Sequence, residues 1–299
     1  MNYIYTIIIP HKNIPDLLIR CLDSIPERED TQIIIIDDNS DSTVVDFNNF
    51  PGRDRINTEI IFSKEGKGAG YARNLGLSYI KESKWISFID ADDFFSENAN
   101  GLMDKYVICD ADIVFFALDT VFSDSLLPSN RKVNRNNKFD KAIETCDYDI
   151  LRYKMYGPTT KFISFKLIKE NNIKFDEVYV ANDVMFTIKI GYFSKIILTD
   201  LNVLYIATER EGSLVKTINY ESIKTRYYVS VNALRFLRNI EKTKYHPNLF
   251  SYTYYFFKIN LIHAIKYFFL SFYYTPFNYW IQDLILCFKY FINRSKIDL

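Results

Sequence analysis

Four short apolar runs in the first third of the chain constrain the fold more than any other feature. The runs are YIYTIII (3–9), TQIIIID (31–37), NTEIIF (57–62) and KWISFI (84–89). None of them alternates polar with apolar residues, so each predicts a strand that is buried on both faces. Helical patterns separate the runs, most clearly at PDLLIRCLDSI (15–25) and AGYARNLGLSYI (69–80). Strands that alternate with helices predict an α/β fold with a mostly parallel sheet flanked by helices.

The pattern continues beyond residue 100 and then changes. A helix near 96–106 and a strand at ADIVFFAL (111–118) are followed by a polar stretch, 119–140, that is typical of a surface loop. A helix at 183–192 precedes strands at KIILT (195–199) and NVLYIAT (202–208). After residue 216 only helical patterns remain. We therefore predict one α/β domain over residues 1–215 and a C-terminal helical appendage over residues 216–299.

Composition excludes several classes of protein. The 37 basic residues balance the 37 acidic ones, so net charge gives no reason to expect a nucleic acid partner. The four cysteines are scattered, which argues against a zinc site or a disulfide framework and fits a reducing cytosol. The opening MNYIYTIIIPHK predicts no signal peptide, and no apolar run reaches the length of a membrane span. We expect a cytoplasmic protein.

A polar cluster follows each of the first four predicted strands. The clusters are Pro10 to Asn13, Asp37 to Ser40, Lys64 to Gly68 and Asp90 to Asp93. The carboxyl ends of parallel strands line one crevice, where open α/β sheets bind ligands. For FIDADDFF (88–95) the alternative is a polar turn in which Asp93 or Ser96 caps the next helix.

The residue types in these clusters point to a nucleotide. Asp90 and Asp92 suit a hard cation, Mn²⁺ or Mg²⁺, that would carry diphosphate oxygens, and Lys67 and Arg73 add positive charge. The glycines of EGKGAG (65–70) allow a backbone to approach a phosphate, although the segment lacks the P-loop pattern and a flexible loop explains it equally well.

Five motifs in order resemble the inverting glycosyltransferases of family 2, which have the GT-A fold. They are IIIPHKN, IIIIDDNSDS, GAGYARNLGL, FIDADD and ANDVMF, and the resemblance runs from about Tyr3 to Ser213. It implies a nucleotide-binding half over residues 1–100 and an acceptor half over residues 101–215. It also implies transfer of a sugar from a UDP-sugar donor to a saccharide or lipid-linked acceptor, in the synthesis of a cell-surface polysaccharide.

The resemblance assigns donor-binding roles to individual positions. It implies that Asp38 accepts the uracil N3 proton. Asp90 is expected to contact the ribose and Asp92 to ligate the metal, with Asp93 on the sugar side. It also places Pro10 and His11 beside the base and Arg73 at the nucleotide. Asn13, Lys67 and Ala91 complete the predicted donor-binding positions.

The resemblance also supplies a base. Asp183 matches the second acid of a Glu-Asp pair, the general base, and the first position of that pair is Asn182 here. A helix N-cap is the alternative role for Asp183. The segment ATEREGSLV (207–215) resembles a mobile segment near the diphosphate, with Arg210 and Ser213 as expected contacts. One carboxylate suffices to take the acceptor's proton in a single inverting displacement.

The last 50 residues, 250–299, are rich in aromatic and basic side chains. They hold 18 of the 50 aromatic residues and five Lys or Arg against two Asp. Such helices suit the interface of a membrane, which would make the protein peripheral on the inner face of the plasma membrane. The alternatives are packing on the catalytic domain and a homodimer contact.

Two other functions remain open from the sequence. A sugar-phosphate nucleotidylyltransferase has a similar architecture, but a Gly-rich loop with an Arg would be expected where this chain has PHKN (10–13). The other is an inactive, membrane-associated scaffold of the same fold. The presence of Asp38, Asp90, Asp92 and Asp183 together argues against it.

Overall fold

The first strand of the chain lies inside the sheet, with later strands on both sides. In the computed structural model, which describes residues 3–130, 132–210 and 219–295, β1 (Tyr3–His11) pairs in parallel with both β2 (Thr31–Asp38) and β4 (Ser83–Phe88). Within these ranges the sheet has eight strands in the order β3-β2-β1-β4-β7-β6-β8-β5. Its other members are β3 (Thr58–Ser63), β5 (Phe94–Phe95), β6 (Ile113–Phe122), β7 (Lys161–Ser164) and β8 (Ile197–Glu209).

Most of the strands run in the same direction. Only β7 and β5 are antiparallel to their neighbours, so the sheet is mixed but mainly parallel, as predicted. The described part of the chain places these helices beside it: α1 (Pro15–Asp23), α2 (Ala69–Tyr79), α3 (Ala99–Tyr106), α4 (Val133–Glu144), α5 (Asp149–Lys154), α6 (Phe165–Glu170) and α7 (Val184–Phe193). The α/β class expected from the alternating apolar runs is confirmed.

Helices pack closely on this sheet. One core cluster joins the buried side chains of α1 and α3 to those of the sheet, where Phe116 and Phe162 meet at 4.8 Å between ring centroids. Helix α2 approaches β1 at Gly76, where a β-carbon would lie only 2.7 Å from Ile8 Cγ2. This close approach fixes α2, and with it the loop that precedes it, against the carboxyl end of the sheet.

Three local predictions are wrong. Strand β3 is not buried on both faces, because it is the edge of the sheet and exposes Glu59 and Phe62. The stretch 119–140 is not only a loop: β6 extends into it and α4 begins at Val133. The two strands predicted at 195–199 and 202–208 form one strand, β8, which pairs with β6 through an irregularity near Ala117.

The chain divides into two compact units, Met1–Glu211 and Gly212–Leu299; the sequence placed the boundary after residue 215. The second unit contains α8 (Tyr220–Asn239), α9 (Tyr252–Phe257), α10 (Leu261–Tyr274) and α11 (Trp280–Ser295), with 3-10 turns at Thr243–Tyr245 and Phe277–Tyr279. It has a core of its own, in which Phe256 stacks on Tyr267 at 3.8 Å. Among the described residues, no helix has the length and hydropathy that crossing a bilayer requires.

Candidate functional site

A buried hydrogen-bond network joins the ends of β1 and β2. Ile14 N donates to His11 Nε2 (3.2 Å), so the ring proton lies on Nδ1, which donates to Asp37 Oδ2 (2.8 Å). Burial alone would raise the pKa of Asp37, but hydrogen bonds from His11 and Ser40 outweigh it and hold that pKa below its usual value. Both ring nitrogens of His11 are therefore used within the protein, and only its backbone is left for a ligand.

Asn13 and Asp38 organise the loops beside this network. Asn13 has a positive φ of 56°, and its side-chain oxygen accepts a hydrogen bond from Asp41 N at 2.7 Å. The buried carboxylate of Asp38 accepts from Lys67 N (3.1 Å) and Gly68 N (2.7 Å), immediately before α2. Each carboxylate oxygen can accept a further hydrogen bond. Asp38 thus shapes the loop and keeps acceptor capacity.

The side chain of Lys67 lies on the exposed side of that loop. Its Nζ is 2.8 Å from Glu65 Oε2, and both side chains are about half exposed, at 52% each. An exposed ion pair of this kind contributes little stability. The structure therefore leaves Lys67 able to change partners.

Arg73, on α2, connects two parts of the site that are distant in sequence. Its Nη2 donates to Asp90 Oδ1 (2.6 Å) and its Nη1 donates to Asn182 Oδ1 (3.0 Å), while Phe175 lies beneath the guanidinium at 5.4 Å. Asn182 has no charge, and it serves here as the neutral acceptor for a buried arginine. The arginine places Asp90 and the residue before Asp183 in one assembly.

Asp92 follows β4 on a turn that several side chains brace. Arg20 Nη2 (2.8 Å) and Thr208 Oγ1 (2.9 Å) both donate to the Asp92 carbonyl oxygen. Its carboxylate is 25% exposed, and Oδ2 accepts from Arg210 Nε at 2.9 Å. The preceding Ala91 is buried. The turn therefore presents the Asp92 carboxylate at the surface on a fixed backbone.

Asp93 differs from its two acidic neighbours because it is buried. Tyr205 Oη donates to its Oδ2 (2.5 Å) and Thr208 N donates to its Oδ1 (2.6 Å). Burial and then the charges of Asp92 and Asp90 raise the pKa of Asp93 to about 7. It does not cap a helix, since α3 begins after Asn98. In this arrangement Asp93 ties β8 to the turn.

Asp183 stands at the first turn of α7, where its carboxylate is only partly buried. Its side chain makes no capping hydrogen bond to α7, and its carbonyl oxygen accepts from Thr187 N at 2.9 Å. Within the described ranges no hydrogen-bond partner contacts the carboxylate, which is only partly buried. A β-carbon built on Gly157 would lie 3.7 Å from Asp183 Oδ2, so the glycine leaves space beside the acid.

Two basic side chains near Asp183, the buried Lys161 and the partly buried Arg135, are absent from the sequence prediction. Lys161 Nζ donates to the carbonyl oxygens of Met155 and Gly157, and burial lowers the pKa of Lys161 well below its usual value. Arg135 Nη1 donates to Tyr156 O at 2.9 Å, and desolvation lowers the pKa of Arg135 to about 10. Together they hold the loop before β7 beside Asp183. Arg135 falls in the stretch interpreted as a surface loop, and nothing in the local sequence distinguishes it from a solvated arginine.

The donor set at this edge of the sheet fits a cation that is shared with a substrate. No cluster of three or more His, Cys, Asp or Glu that could hold a metal ion occurs among residues 3–130, 132–210 and 219–295. Asp92 is a single, partly exposed carboxylate, and in the same ranges its Oδ1 has no protein partner. Mg²⁺ is commonly bound by one or two carboxylates plus phosphate oxygens.

Most of the predicted positions therefore meet at one edge of the sheet. Pro10 and His11 end β1, Asp38 ends β2, and the Asp90 to Asp93 turn follows β4. Ser213 lies outside the described residues. A separate surface pocket of about 480 Å³, beside α1 and the loop 48–55, contains none of the predicted site residues.

Comparison with known proteins identifies the family to which this sequence is similar. Residues 6–171, more than half of the chain, match the sequence model of Glycosyl transferase family 2. The chain is 32% identical over 165 residues to the "Minor teichoic acid biosynthesis protein GgaA" of Bacillus subtilis (strain 168), which covers 51% of this chain and 36% of GgaA. It thus spans about a third of the length of that relative.

Solved structures show the same fold at lower sequence identity. The S. aureus TarS fragment 1–349 in complex with UDP-GlcNAc superposes with a TM-score of 0.56 at 21% identity, over 77% of this chain and 65% of the fragment. The same fragment in complex with UDP gives a TM-score of 0.52 at 19% identity, over 77% and 64%. The expected GT-A fold is confirmed by this likeness.

Proposed function

The chain belongs to glycosyl transferase family 2, and we propose that it transfers a sugar from a UDP-sugar to a hydroxyl group of a saccharide or lipid-linked acceptor, with inversion. One observation carries the proposal. The turn bearing Asp90 and Asp92 is joined by Arg73, through Asp90 and Asn182, to the start of α7, where Asp183 lies. The proposed donor-binding groups and the proposed base are thus linked through one arginine.

The relatives suggest the kind of product. GgaA is named for minor teichoic acid biosynthesis, and a TarS fragment is described in complex with UDP-GlcNAc. We extend both to this chain as a proposal: the product is a cell-surface polysaccharide of the teichoic acid type, and a UDP-N-acetylhexosamine is the first donor to test. A UDP-hexose is the next.

On the donor side, the nucleotide lies along the carboxyl ends of β1, β2 and β4. Asp38 accepts a hydrogen bond from N3–H of uracil through lone pairs that its bonds to Lys67 N and Gly68 N do not use. Asp90 accepts a hydrogen bond from a ribose hydroxyl group. When the donor binds, Arg210 leaves Asp92 and forms an ion pair with the diphosphate, whose oxygens suit the two-pronged geometry of a guanidinium. Asp92 would hold a Mn²⁺ or Mg²⁺ ion, which would supply Lewis-acid stabilisation of the leaving diphosphate.

On the acceptor side, Asp183 performs the proton transfer. As the acceptor oxygen bonds to the anomeric carbon, the bond from that carbon to the diphosphate oxygen breaks. The hydroxyl proton passes to a carboxylate oxygen of Asp183. Asp183 must be ionised before it can take this proton, and its position at the N-terminal end of α7 stabilises the negative charge. The space beside Gly157 admits the acceptor hydroxyl.

A donor screen tests the proposal without knowledge of the acceptor. The full chain is incubated with Mn²⁺ and a panel of UDP-, GDP-, CDP- and dTDP-sugars, and release of the nucleoside diphosphate by slow hydrolysis is measured. We expect release from one or a few UDP-sugars, lost in an Asp92→Ala/Asp183→Asn double variant. The proposal fails if no UDP-sugar is hydrolysed, or if the double variant hydrolyses as fast as the unaltered chain.

A further inference from the structure

Helix α10 carries apolar side chains on two opposite faces. Its inner face is buried in the second unit through Ala264, Tyr267 and Ser271, and Ser271 Oγ lies 3.3 Å from Tyr227 Oη. Its outer face bears large apolar side chains spaced three or four residues apart, all at least 50% exposed. We name this set the α10 stripe: Ile262, Ile265, Phe269 and Tyr273.

Helix α11 repeats the arrangement. Its inner face is fixed by Asp283, whose Oδ2 lies 2.8 Å from His246 Nε2, and by Cys287, whose Sγ donates to Phe250 O at 3.2 Å. The opposite face again exposes large apolar side chains at helical spacing. This set is the α11 stripe: Ile281, Ile285, Phe288 and Ile292.

Exposed apolar surface of this extent on two helices points to an interaction site, since single exposed apolar residues are ordinary but continuous stripes are not. The charge of the same unit identifies the occupant. Residues 219–295 contain ten Lys or Arg and three Asp or Glu, although the whole chain has 37 of each. One of the three acids, Asp283, is buried against His246. The surface of this unit is therefore strongly basic.

Basic residues lie beside the stripes themselves. Lys266 follows Ile265 in the α10 stripe and Lys289 follows Phe288 in the α11 stripe, and both lysines are exposed. Apolar side chains flanked by lysines are the pattern of a helix that lies in the interface of an anionic bilayer. With 14 and 16 residues, α10 and α11 fall short of the roughly 20 residues that a span needs.

We propose that the second unit binds an anionic lipid surface, with the α10 and α11 stripes inserted among the acyl chains and Lys266 and Lys289 at the headgroups. The apolar stripes supply the burial and the lysines supply selectivity for anionic headgroups. The unaltered chain should therefore bind vesicles that contain phosphatidylglycerol, bind phosphatidylcholine vesicles weakly, and dissociate as the salt concentration rises.

Flotation of the full chain with these two kinds of vesicle tests the proposal. We expect Phe269→Glu/Phe288→Glu to lower partitioning onto phosphatidylglycerol vesicles by at least about tenfold. The matched control carries the same change at two exposed apolar residues of the first unit, Ile108→Glu/Leu201→Glu, and should partition as the unaltered chain does. Far-UV circular dichroism checks that each variant is folded.

A second variant separates charge from apolar contact and does not alter the stripes. Lys266→Glu/Lys289→Glu should also lower binding to anionic vesicles, by about tenfold or more, because each lysine contributes on the order of 1 kcal/mol near an anionic surface. The proposal is overturned if the unaltered chain does not float with anionic vesicles, or if the Ile108/Leu201 control loses as much binding. It is also overturned if light scattering shows a dimer that the stripe variants convert to monomer, because a second copy then covers the stripes.

Discussion

Asp183 is the residue on which the proposed proton transfer depends. If it acts as the general base, Asp183→Asn should keep donor binding and lower kcat by about a hundredfold to ten-thousandfold. Transfer or hydrolysis is measured at saturating donor, with binding followed by calorimetry. The control is Asp110→Asn, at a carboxylate whose side chain is 98% exposed and distant in sequence from the site motifs. Near-normal turnover of Asp183→Asn would remove Asp183 from this role.

Asp92 has a separate testable role. Asp92→Ala should abolish the part of donor binding that depends on Mn²⁺, because it removes the carboxylate proposed to hold the ion between protein and diphosphate. Calorimetry with UDP, in Mn²⁺ and in EDTA, measures that part. Asp124→Ala, an exposed acid in the loop after β6, serves as the matched control. Equal affinity for UDP with Mn²⁺ in Asp92→Ala and in the unaltered chain would make the assignment wrong.

Asn182 stands where the family resemblance leads one to expect an acid. The structure gives it a structural task, since its Oδ1 accepts from the buried Arg73 at 3.0 Å. Asn182→Ala leaves that charged donor without an acceptor and should lower the free energy of unfolding by about 1–3 kcal/mol. Asn182→Asp keeps an oxygen in place and should cost less. Urea denaturation at neutral pH measures both, and an Asn182→Ala variant as stable as the unaltered chain would contradict this role.

At the scale of elements, two helical glycines provide a matched comparison. A β-carbon on Gly76 of α2 would lie 2.7 Å from the buried Ile8, whereas one on Gly101 of α3 would meet nothing within 4 Å. Alanine raises helix propensity equally at both positions. Gly76→Ala should therefore be less stable than Gly101→Ala by about 1–3 kcal/mol, the usual cost of overpacking. The thermal unfolding midpoints of the two variants are compared with each other, so that the gain in helix propensity, common to both, cancels. Equal midpoints would show that α2 can shift away from β1.

The elements that the sequence predicts are those with enough local pattern. Strands β1, β2 and β4 are long apolar runs, and the sequence predicts both these strands and the polar residues at their carboxyl ends. Helix α4 could not be predicted, because only Phe139 and Ala142 among its described side chains are buried, which is too little for a helical period. Strand β7 has only four residues, which is too short for a recognisable pattern. Its antiparallel direction in the middle of the sheet therefore could not be predicted either.

The contacts that assemble the site are long-range, and the sequence does not specify them. Arg73 and Asn182 are 109 positions apart, and Arg20 and the Asp92 carbonyl are 72 apart. The motifs indicate which carboxylates follow the strands β2 and β4 at their carboxyl ends. They do not indicate that Asp93 is buried against Tyr205, or that Lys161 and Arg135 lie near Asp183. Burial and pairing depend on the packed sheet, and therefore only the structure separates the exposed acids from the structural one.

At the scale of the whole molecule, the two units have separate cores. One core cluster, which includes Trp85 and Phe162, lies entirely within Met1–Glu211, and another, which includes Tyr227 and Phe256, lies within the second unit. A fragment that ends at Glu211 should therefore fold with a cooperative transition of its own and bind UDP in the presence of Mn²⁺. Circular dichroism and calorimetry measure both properties against the full chain.

The same fragment also separates the two proposed activities. Because it lacks α10 and α11, it should lose flotation with phosphatidylglycerol vesicles while it keeps slow hydrolysis of the UDP-sugar. A fragment that still floats would place the lipid-binding surface in the first unit. A fragment that unfolds without cooperativity would show that the first core depends on the second unit. Loss of lipid binding with retained hydrolysis is the outcome we expect, since Asp38, Asp92, Asp183 and Arg210 lie in the fragment, which lacks only Ser213 of the expected donor contacts.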